Sequence, residues 1–276
     1  MNRVLFLPLT EWDMSLPVYV TGAGGWLNQE PIDRPAGYAD YQWIQCVSGE
    51  GKLRTRGITY AVKPGQGMLL YPDEPHAYEA VREPWGVRWV TFRGALAGPL
   101  LAKLRFRHSG VWNVSHPEAV LERISQIAGL LDSKNPMRGA ACSSLAYQLL
   151  LDLYGTTTTE RSDVRSRQDR LEQLTPLLQY MEDRCAEDLT LEDLSRRLGV
   201  TPQYVCRLFR QALDMRPFEY LAKCRIQKAK ELLLAQPERK VEEIAVQAGY
   251  RNASYFIKQF KRQEGVTPVE FRRMHR

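Results

Sequence analysis

The segment from Thr190 to Arg272 says nearly the same thing twice, and that repeat constrains the fold more than any other feature of the chain. Leu191-Glu192-Asp193-Leu194-Ser195-Arg196-Arg197-Leu198-Gly199-Val200 lies over Val241-Glu242-Glu243-Ile244-Ala245-Val246-Gln247-Ala248-Gly249-Tyr250 at an offset of 50, with apolar, acidic and Gly positions coinciding. After one inserted residue, Leu208-Phe209-Arg210 matches Gln259-Phe260-Lys261 and Arg216-Pro217 matches Thr267-Pro268 at an offset of 51.

Each copy reads as a short helix, a Gly turn and a longer helix. Thr190 is placed to cap the first helix, whose apolar face is Leu191, Leu194 and Leu198, with Val241, Ile244, Ala245 and Ala248 as the counterpart in the second copy. Gly199 and Gly249 end these helices, because a left-handed cap requires little or no side chain. Thr201-Pro202 supplies a cap and a first-turn proline for one second helix, and Asn252 caps the other. One such unit is either a plain helical hairpin or a helix-turn-helix whose second helix enters a major groove. Two units carrying Arg207, Arg210, Lys258, Lys261 and Arg262 on their second helices favour the groove reading. Residues 1–164 carry 16 Lys+Arg against 16 Asp+Glu and residues 165–276 carry 22 against 16, so the whole +6 excess lies with the repeat, as a phosphate-seeking surface requires.

The second copy, with Ile244-Ala245, Gly249-Tyr250, Ser254-Tyr255-Phe256, Phe260-Lys261, Gly265-Val266-Thr267-Pro268 and Phe271-Arg272, resembles the signature of the AraC/XylS family of bacterial transcription regulators. Arg225, Ala229 and Leu232-Leu233 match as well, and the resemblance spans roughly residues 170–273. It implies base contacts from Gln203, Cys206 and Arg207 in the first module and from Ala253, Ser254, Ile257 and Lys258 in the second. The periodicity sends Val205, Leu208 and Phe209 inward on one helix and Tyr255, Phe256 and Phe260 inward on the other. Thr201, Arg210, Asn252, Lys261 and Arg262 are expected to serve phosphates. Small and apolar residues carry little hydrogen-bonding information, so the second module is expected to discriminate less than the first. Asp214 stands where the second copy has Gly265, which predicts a slightly strained left-handed turn.

Ahead of the repeat, Tyr41–Val47, Lys52–Arg56, Ile58–Val62, Gly67–Tyr71, His76–Ala80 and Val87–Phe92 read as short strands, parted by Gly- and Pro-rich turns at 48–51, 57, 64–65, 72–75 and 84–86. Gly49-x-Gly51, Pro64-Gly65, Leu69-Leu70 and Pro75-His76-x-Tyr78 are similar to the cupin-like sensor domain that precedes AraC-type DNA-binding domains. Cupin enzymes hold a metal with a His-x-His pair, a Glu and a further His. His76 is the only histidine among these strands, His108 and His116 lying in the exit segment as surface or packing residues, so neither metal nor other cofactor is expected. The stretch Ile32-Asp33-Arg34-Pro35-x-Gly37-Tyr38 and the pair Tyr78 and Trp89 resemble the sugar-binding branch, which implies an effector site at Arg34, Tyr78 and Trp89 with His76 beside them. Val87 stands where the arabinose-binding members carry His. On the residues alone, Tyr78 and Trp89 are equally core aromatics, and Arg34 is equally an ion-pair partner of Asp33 or Asp40. The resemblance also implies that the segment from Phe6 to Thr10 folds over the mouth of the barrel.

From about Ser115 to Tyr154 the pattern turns helical, with stripes at Val120, Ile124, Ile127, Leu131 and at Ala141, Leu145, Leu149. Leu145, Leu149, Leu150 and Leu153 suit either a dimer seam or packing within the chain. A helix from about Leu171 to Arg184 faces the first module through Leu174, Leu177, Leu178 and Met181. A strut from about Pro217 to Leu234, with Phe218, Leu221, Ile226, Ala229 and Leu233 as its stripe, joins the modules. The expected organisation is α+β with two domains. Residues 1–155 form a cupin-like jelly-roll barrel (about 1–113) followed by helices (about 115–154); 156–170 form a polar linker; 171–276 form an all-α DNA-binding domain with modules at 190–211 and 241–263 and the connecting helix at 217–234.

The five cysteines show no CxxC pair and suit a reducing cytosol. The apolar run from Val4 to Leu9 is too short for a secretory core, and nothing approaches the ~18 residues of a membrane span, so a cytoplasmic protein is expected. The function expected is sequence-specific transcription regulation in response to a small molecule, a sugar by resemblance. The alternatives are a non-sugar effector, a cupin-type enzyme and a ligand-independent DNA binder. The expected partners are double-stranded DNA, the effector, a second copy through helices at about 118–154, and RNA polymerase, with no membrane.

Overall fold

The computed structural model describes residues 2–158 and 167–275, and the chain divides into the units Met1–Arg167 and Gln168–Arg276. The first unit runs β1 (Arg3–Phe6), α1 (Glu11–Ser15), β2 (Tyr19–Trp26), β3 (Ile32–Arg34), β4 (Tyr41–Thr55), β5 (Ile58–Val62), β6 (Gln66–Leu70), β7 (His76–Arg93), α2 (Ala97–Lys103), β8 (Gly110–Val114), α3 (Pro117–Asp132), α4 (Arg138–Thr156) and β9 (Thr157–Thr158). The strands form one antiparallel sheet ordered β1-β2-β7-β4-β6-β8-β9, with β3 also on β7 and β5 also on β4.

Period-two alternation gives each strand two apolar faces, and the two faces build separate cores. Ile44, Cys46, Met68, Leu70, Tyr78 and Val87 fill the barrel interior. Their neighbours Trp43, Leu69, Val90 and Phe92 point the other way, against Ile124, Ile127, Leu149, Leu150 and Leu153 of α3 and α4. Each fully buried side chain of this kind contributes about 1.5–3 kcal/mol over exposure.

The turns expected at 48–51 and 84–86 are not turns. β4 and β7 continue through them as one bent ladder from Tyr41↔Phe92 to Thr55↔His76, with register shifts between Cys46 and Gly51. The two Gly-rich segments face each other, Ser48 opposite Gly86, so both strands bend together and neither reverses. Of the segment expected to cover the mouth, Phe6 ends an edge strand and lines the cavity, while Thr10 caps a short helix: β1 pairs with β2 from Arg3↔Gly25 to Phe6↔Gly22, and Thr10 caps α1 in a capping box with Asp13.

On α3 the anticipated stripe of Val120, Ile124, Ile127 and Leu131 is buried. On α4 the buried face is Gly139, Cys142, Ala146, Leu149, Leu150 and Leu153, while Ala141 and Leu145 are half-buried. The helix carries leucines on nearly every side from 149 to 153, and α3 and the sheet select which are covered. Leu149, Leu150 and Leu153 therefore belong to this chain's own core and are not free for a dimer seam; Tyr147 and Leu151 are the exposed large apolar residues of the helix. Of the linker expected over 156–170, residues 159–166 lie outside the described residues, and the rest is regular: α4 runs to Thr156, and Thr158 of β9 pairs with Asn113.

The second unit is all helix: α5 (Arg167–Asp183), α6 (Leu191–Leu198), α7 (Pro202–Leu213), α8 (Pro217–Ala235), α9 (Val241–Gln247), α10 (Ala253–Glu264) and α11 (Pro268–Met274). Leu174, Leu177 and Met181 of α5 pack with Leu194, Val205, Leu208 and Phe209 in one core. Ile244, Ala245, Phe256, Phe260 and Phe271 form another. α8 gives Leu221 to the first and Ile226, Ala229 and Leu233 to the second. Phe218, expected on that stripe, is about half exposed, because Pro217 at the head of the helix takes the buried place. Local chemistry sets the ends: Thr190 closes a capping box with Asp193, Gly199 is left-handed at φ 65°, and Thr201 and Asn252 each accept an amide of the first turn. Asp214 and Gly265, at φ 57° and 79°, end α7 and α10 in the same left-handed region.

Candidate functional site

β3 and the two halves of β7 bring Arg34, Tyr78 and Trp89 to one cavity of about 240 Å³. Ile32 pairs with Tyr78 and Arg34 with His76, while Trp89 is flanked by Gly24 on β2 and Ile44 on β4. The indole occupies the place that a side chain at residue 24 would take, since a Cβ there would lie 2.8 Å from its Cζ2. Phe6 of β1 closes this side, its ring centroid 6.2 Å from that of Trp89.

Arg34 is held from two directions. Its Nη1 donates to Oε1 of Gln42 at 3.0 Å, and its guanidinium carbon lies 4.4 Å from the centroid of the Tyr38 ring. The ion-pair alternative does not hold among the described residues, because Asp40 is taken by Arg93 and by Thr21 and no carboxylate pairs with Arg34. Gln42 Oε1 is the one side-chain acceptor on this guanidinium among the described residues. Gln29, Glu30, Gln42 and Thr91 add further polar groups to an otherwise aromatic and aliphatic wall. Burial raises the phenol of Tyr78, so it is neutral and able both to donate and to accept at physiological pH.

His76, grouped with these residues from the sequence, is not in the cavity wall. It lies two positions along β7, buried and with its ring parallel to that of Tyr78, and Nδ1 meets the Glu74 carbonyl at 2.8 Å. Burial pushes its imidazole below the ordinary value, so it is neutral, with Nδ1 donating to that carbonyl. His108 and His116 lie outside the cavity wall too, and among the described residues no cluster of three His, Cys, Asp or Glu could hold a metal. Gln42 and Thr91 were missed as wall residues, whereas Tyr38 ends the stretch quoted for the resemblance and Phe6 begins the segment expected over the mouth. The inward-facing polar pair Gln42↔Thr91 and the Gly22–Gly25 run of β2 were the signals that could have found them.

In the second unit, Gln203, Cys206, Arg207 and Arg210 of α7 are exposed, while Val205, Leu208 and Phe209 are buried. The Arg207 guanidinium carbon lies 4.9 Å from the Tyr204 ring centroid, which limits its rotamers. On α10, Ser254 and Lys258 are exposed, but Ala253 and Ile257 are half-buried against the second core. Tyr255, expected inside, is 57% exposed; Gln259 takes a buried position instead, with Phe256 and Phe260. Thr201 Oγ1 and Asn252 Oδ1 accept the amides of Tyr204 and Tyr255, which leaves the Thr hydroxyl proton and the Asn amide free to donate to phosphate at a helix N-terminus. Lys261 and Arg262 are exposed in the last turn of α10.

A ligand-sized cavity within a barrel and two helix-turn-helix modules define a ligand-responsive DNA-binding regulator. Residues 32–150 match the AraC-like ligand binding domain and residues 194–274 match the helix-turn-helix domain found with it, and the chain belongs to the AraC family of transcription regulators. It is 34% identical over 94% of both chains to the uncharacterized HTH-type transcriptional regulator YisR of Bacillus subtilis. It is 26% identical to the arabinose operon regulatory protein of Salmonella typhimurium, over 87% of this chain and 86% of that one. It is also 26% identical to the raffinose operon transcriptional regulatory protein RafR of Pediococcus pentosaceus, over 77% and 76% of the two chains. The family consists of regulators, not enzymes. Among the described residues no helix is long and apolar enough to cross a membrane.

Proposed function

We propose that the effector is a sugar, bound between Arg34, Tyr78 and Trp89, and that its binding governs recognition of an operator by α7 and α10. The observation that carries this reading is the convergence of those three side chains on one cavity with no carboxylate on Arg34. An indole face buries the apolar C–H side of a pyranose, and a guanidinium fork with neighbouring amides serves its hydroxyls. The cavity is small for a ligand site and suits a monosaccharide or one residue of a larger glycoside. The names of the arabinose and raffinose operon regulators support the same class of ligand.

On DNA, Gln203, Cys206 and Arg207 of α7 and Ser254 and Lys258 of α10 read bases in successive major grooves, roughly 34 Å apart. Ala253 and Ile257 add apolar contact at most, since both are half-buried. Thr201, Arg210, Asn252, Lys261 and Arg262 hold phosphates. The protein acts in the cytoplasm, pairs with a second copy through the outer faces of α3 and α4, where Tyr147 and Leu151 are exposed, and acts on RNA polymerase at the promoter. A gel shift on DNA selected by the full chain, with and without arabinose, galactose and raffinose, tests the reading. A sugar-dependent change in sequence-specific affinity is expected, and affinity indifferent to every sugar contradicts it.

A further inference from the structure

The two helix-turn-helix modules have separate cores, and α8 belongs to both. A single helix shared by two cores sets their separation but leaves their mutual angle soft. A second connection exists in the loop that follows α5. Its Cys185 is buried in the core of the first module, and at its far end Thr190 caps α6. Two contacts seat this loop on the turn of the second module. A Cβ at Gly249 would lie 2.7 Å from Cα of Ala186, so only glycine lets the backbones approach, and Arg251 forms an ion pair with Asp188. Arg225 of α8 fastens the arrangement. Its Nε donates to the Cys185 carbonyl at 2.7 Å, its Nη2 donates to the Glu187 carbonyl at 2.9 Å, and its guanidinium carbon lies 5.8 Å from the ring centroid of Tyr250, which is itself buried in the second core.

We propose that Arg225 is a positioning residue for operator recognition: by tying the Cys185–Asp188 loop of the first module to the Gly249–Arg251 turn of the second, it fixes the angle between the two recognition helices and thereby the half-site spacing the protein accepts. The proposal rests on the two-groove reading above. Its physical basis is geometric: one base pair adds roughly 3.4 Å along the axis and rotates the second groove with it, so tolerance of an inserted pair reports how rigidly the modules are joined. A guanidinium spans two carbonyls at once, and no other side chain reproduces that fork.

The test uses the full chain and an operator it selects from random DNA, presented at native spacing, with one base pair inserted between the half-sites, and as the first half-site alone. The wild type is expected to lose affinity on insertion by at least about tenfold. Arg225→Ala is expected to bind the native operator about tenfold more weakly, the half-site within about twofold of wild type, and to lose no more than about threefold on insertion. Equal weakening on all three DNAs, or an insertion penalty as large as that of the wild type, overturns the proposal. If Arg225→Ala fails to fold by circular dichroism, Arg225→Met carries the test with the same expectations, since it keeps an apolar stem of similar length but offers no donor to either carbonyl. Wild-type indifference to insertion, with equal affinity for half and whole sites, overturns the two-groove reading itself, and with it the proposal.

Discussion

Trp89 lies against the bare backbone of Gly24, its register partner on β2, with the place of a missing Cβ 2.8 Å from the indole. The cavity therefore depends on a residue that contributes no atom to its wall. A Cβ there would also lie 2.3 Å from the Arg3 carbonyl, so Gly24→Ala should push β1 and the indole away from β2, weaken sugar binding about tenfold and cost about 1–3 kcal/mol of stability in the first unit. Titration calorimetry and thermal unfolding measure the two effects. Unchanged sugar affinity would show that the indole does not touch the ligand.

Asp214 and Gly265 occupy equivalent left-handed turns in the two modules, but only one of them is glycine. Asp214→Gly should stabilise the DNA-binding unit by about 0.5–1 kcal/mol, the relief of backbone strain exceeding the added freedom of the unfolded chain. Gly265→Ala should destabilise it by about 1 kcal/mol. Urea unfolding of each variant checks the opposed signs, and the same sign for both would refute the strain argument.

Such turns were legible because caps and left-handed stops are written in a few adjacent residues, and the repeat printed them twice. What failed depended on distant parts of the chain. Nothing local distinguishes a bulge at Gly49 from a hairpin; only the facing segment at Gly86, far along the chain, keeps β4 and β7 running through. Tyr255 and Phe218 were misplaced because apolar character alone was used, whereas Gln259 and Pro217 fill the buried positions. Arg34, Tyr78 and Trp89 do share one cavity, and family resemblance is what grouped them from the sequence. His76 was not separable from them, since a period of two puts it on the same face as Tyr78 without saying how far the cavity extends.

His76 gives the barrel a pH dependence. Burial lowers its imidazole below the ordinary value of 6.5, so between those values the unfolded chain binds more protons than the folded one. Stability is then full above about pH 6.5 and falls as pH drops through that value, by at most about 1.4 kcal/mol per pH unit from this residue. His76→Gln should flatten the slope of melting temperature against pH between about 5 and 6.5. A slope identical to that of the wild type would mean that other groups cause it.

Arg207 is the exposed cation of α7 whose rotamers a neighbouring ring restrains. Bidentate contact with one guanine makes Arg207→Ala cost about 1–3 kcal/mol and relax preference at a single base pair. Binding measured on a set of single-base operator variants separates this from a phosphate role, in which affinity would fall uniformly on every sequence.

The most direct measurement is titration calorimetry of the full chain and of Arg34→Ala with arabinose, galactose, glucuronate and raffinose, alongside operator affinity without sugar. At least one sugar should bind the wild type. Loss of the guanidinium removes at least one charge-assisted hydrogen bond of about 1.5–3 kcal/mol, which at about 1.4 kcal/mol per decade makes the variant bind that sugar at least about tenfold to hundredfold more weakly. Its affinity for operator without sugar should match the wild type, because an effector acts only through its differential affinity for two states. Sugar binding that survives unchanged in Arg34→Ala, or a wild type that binds none of the four, would contradict the account.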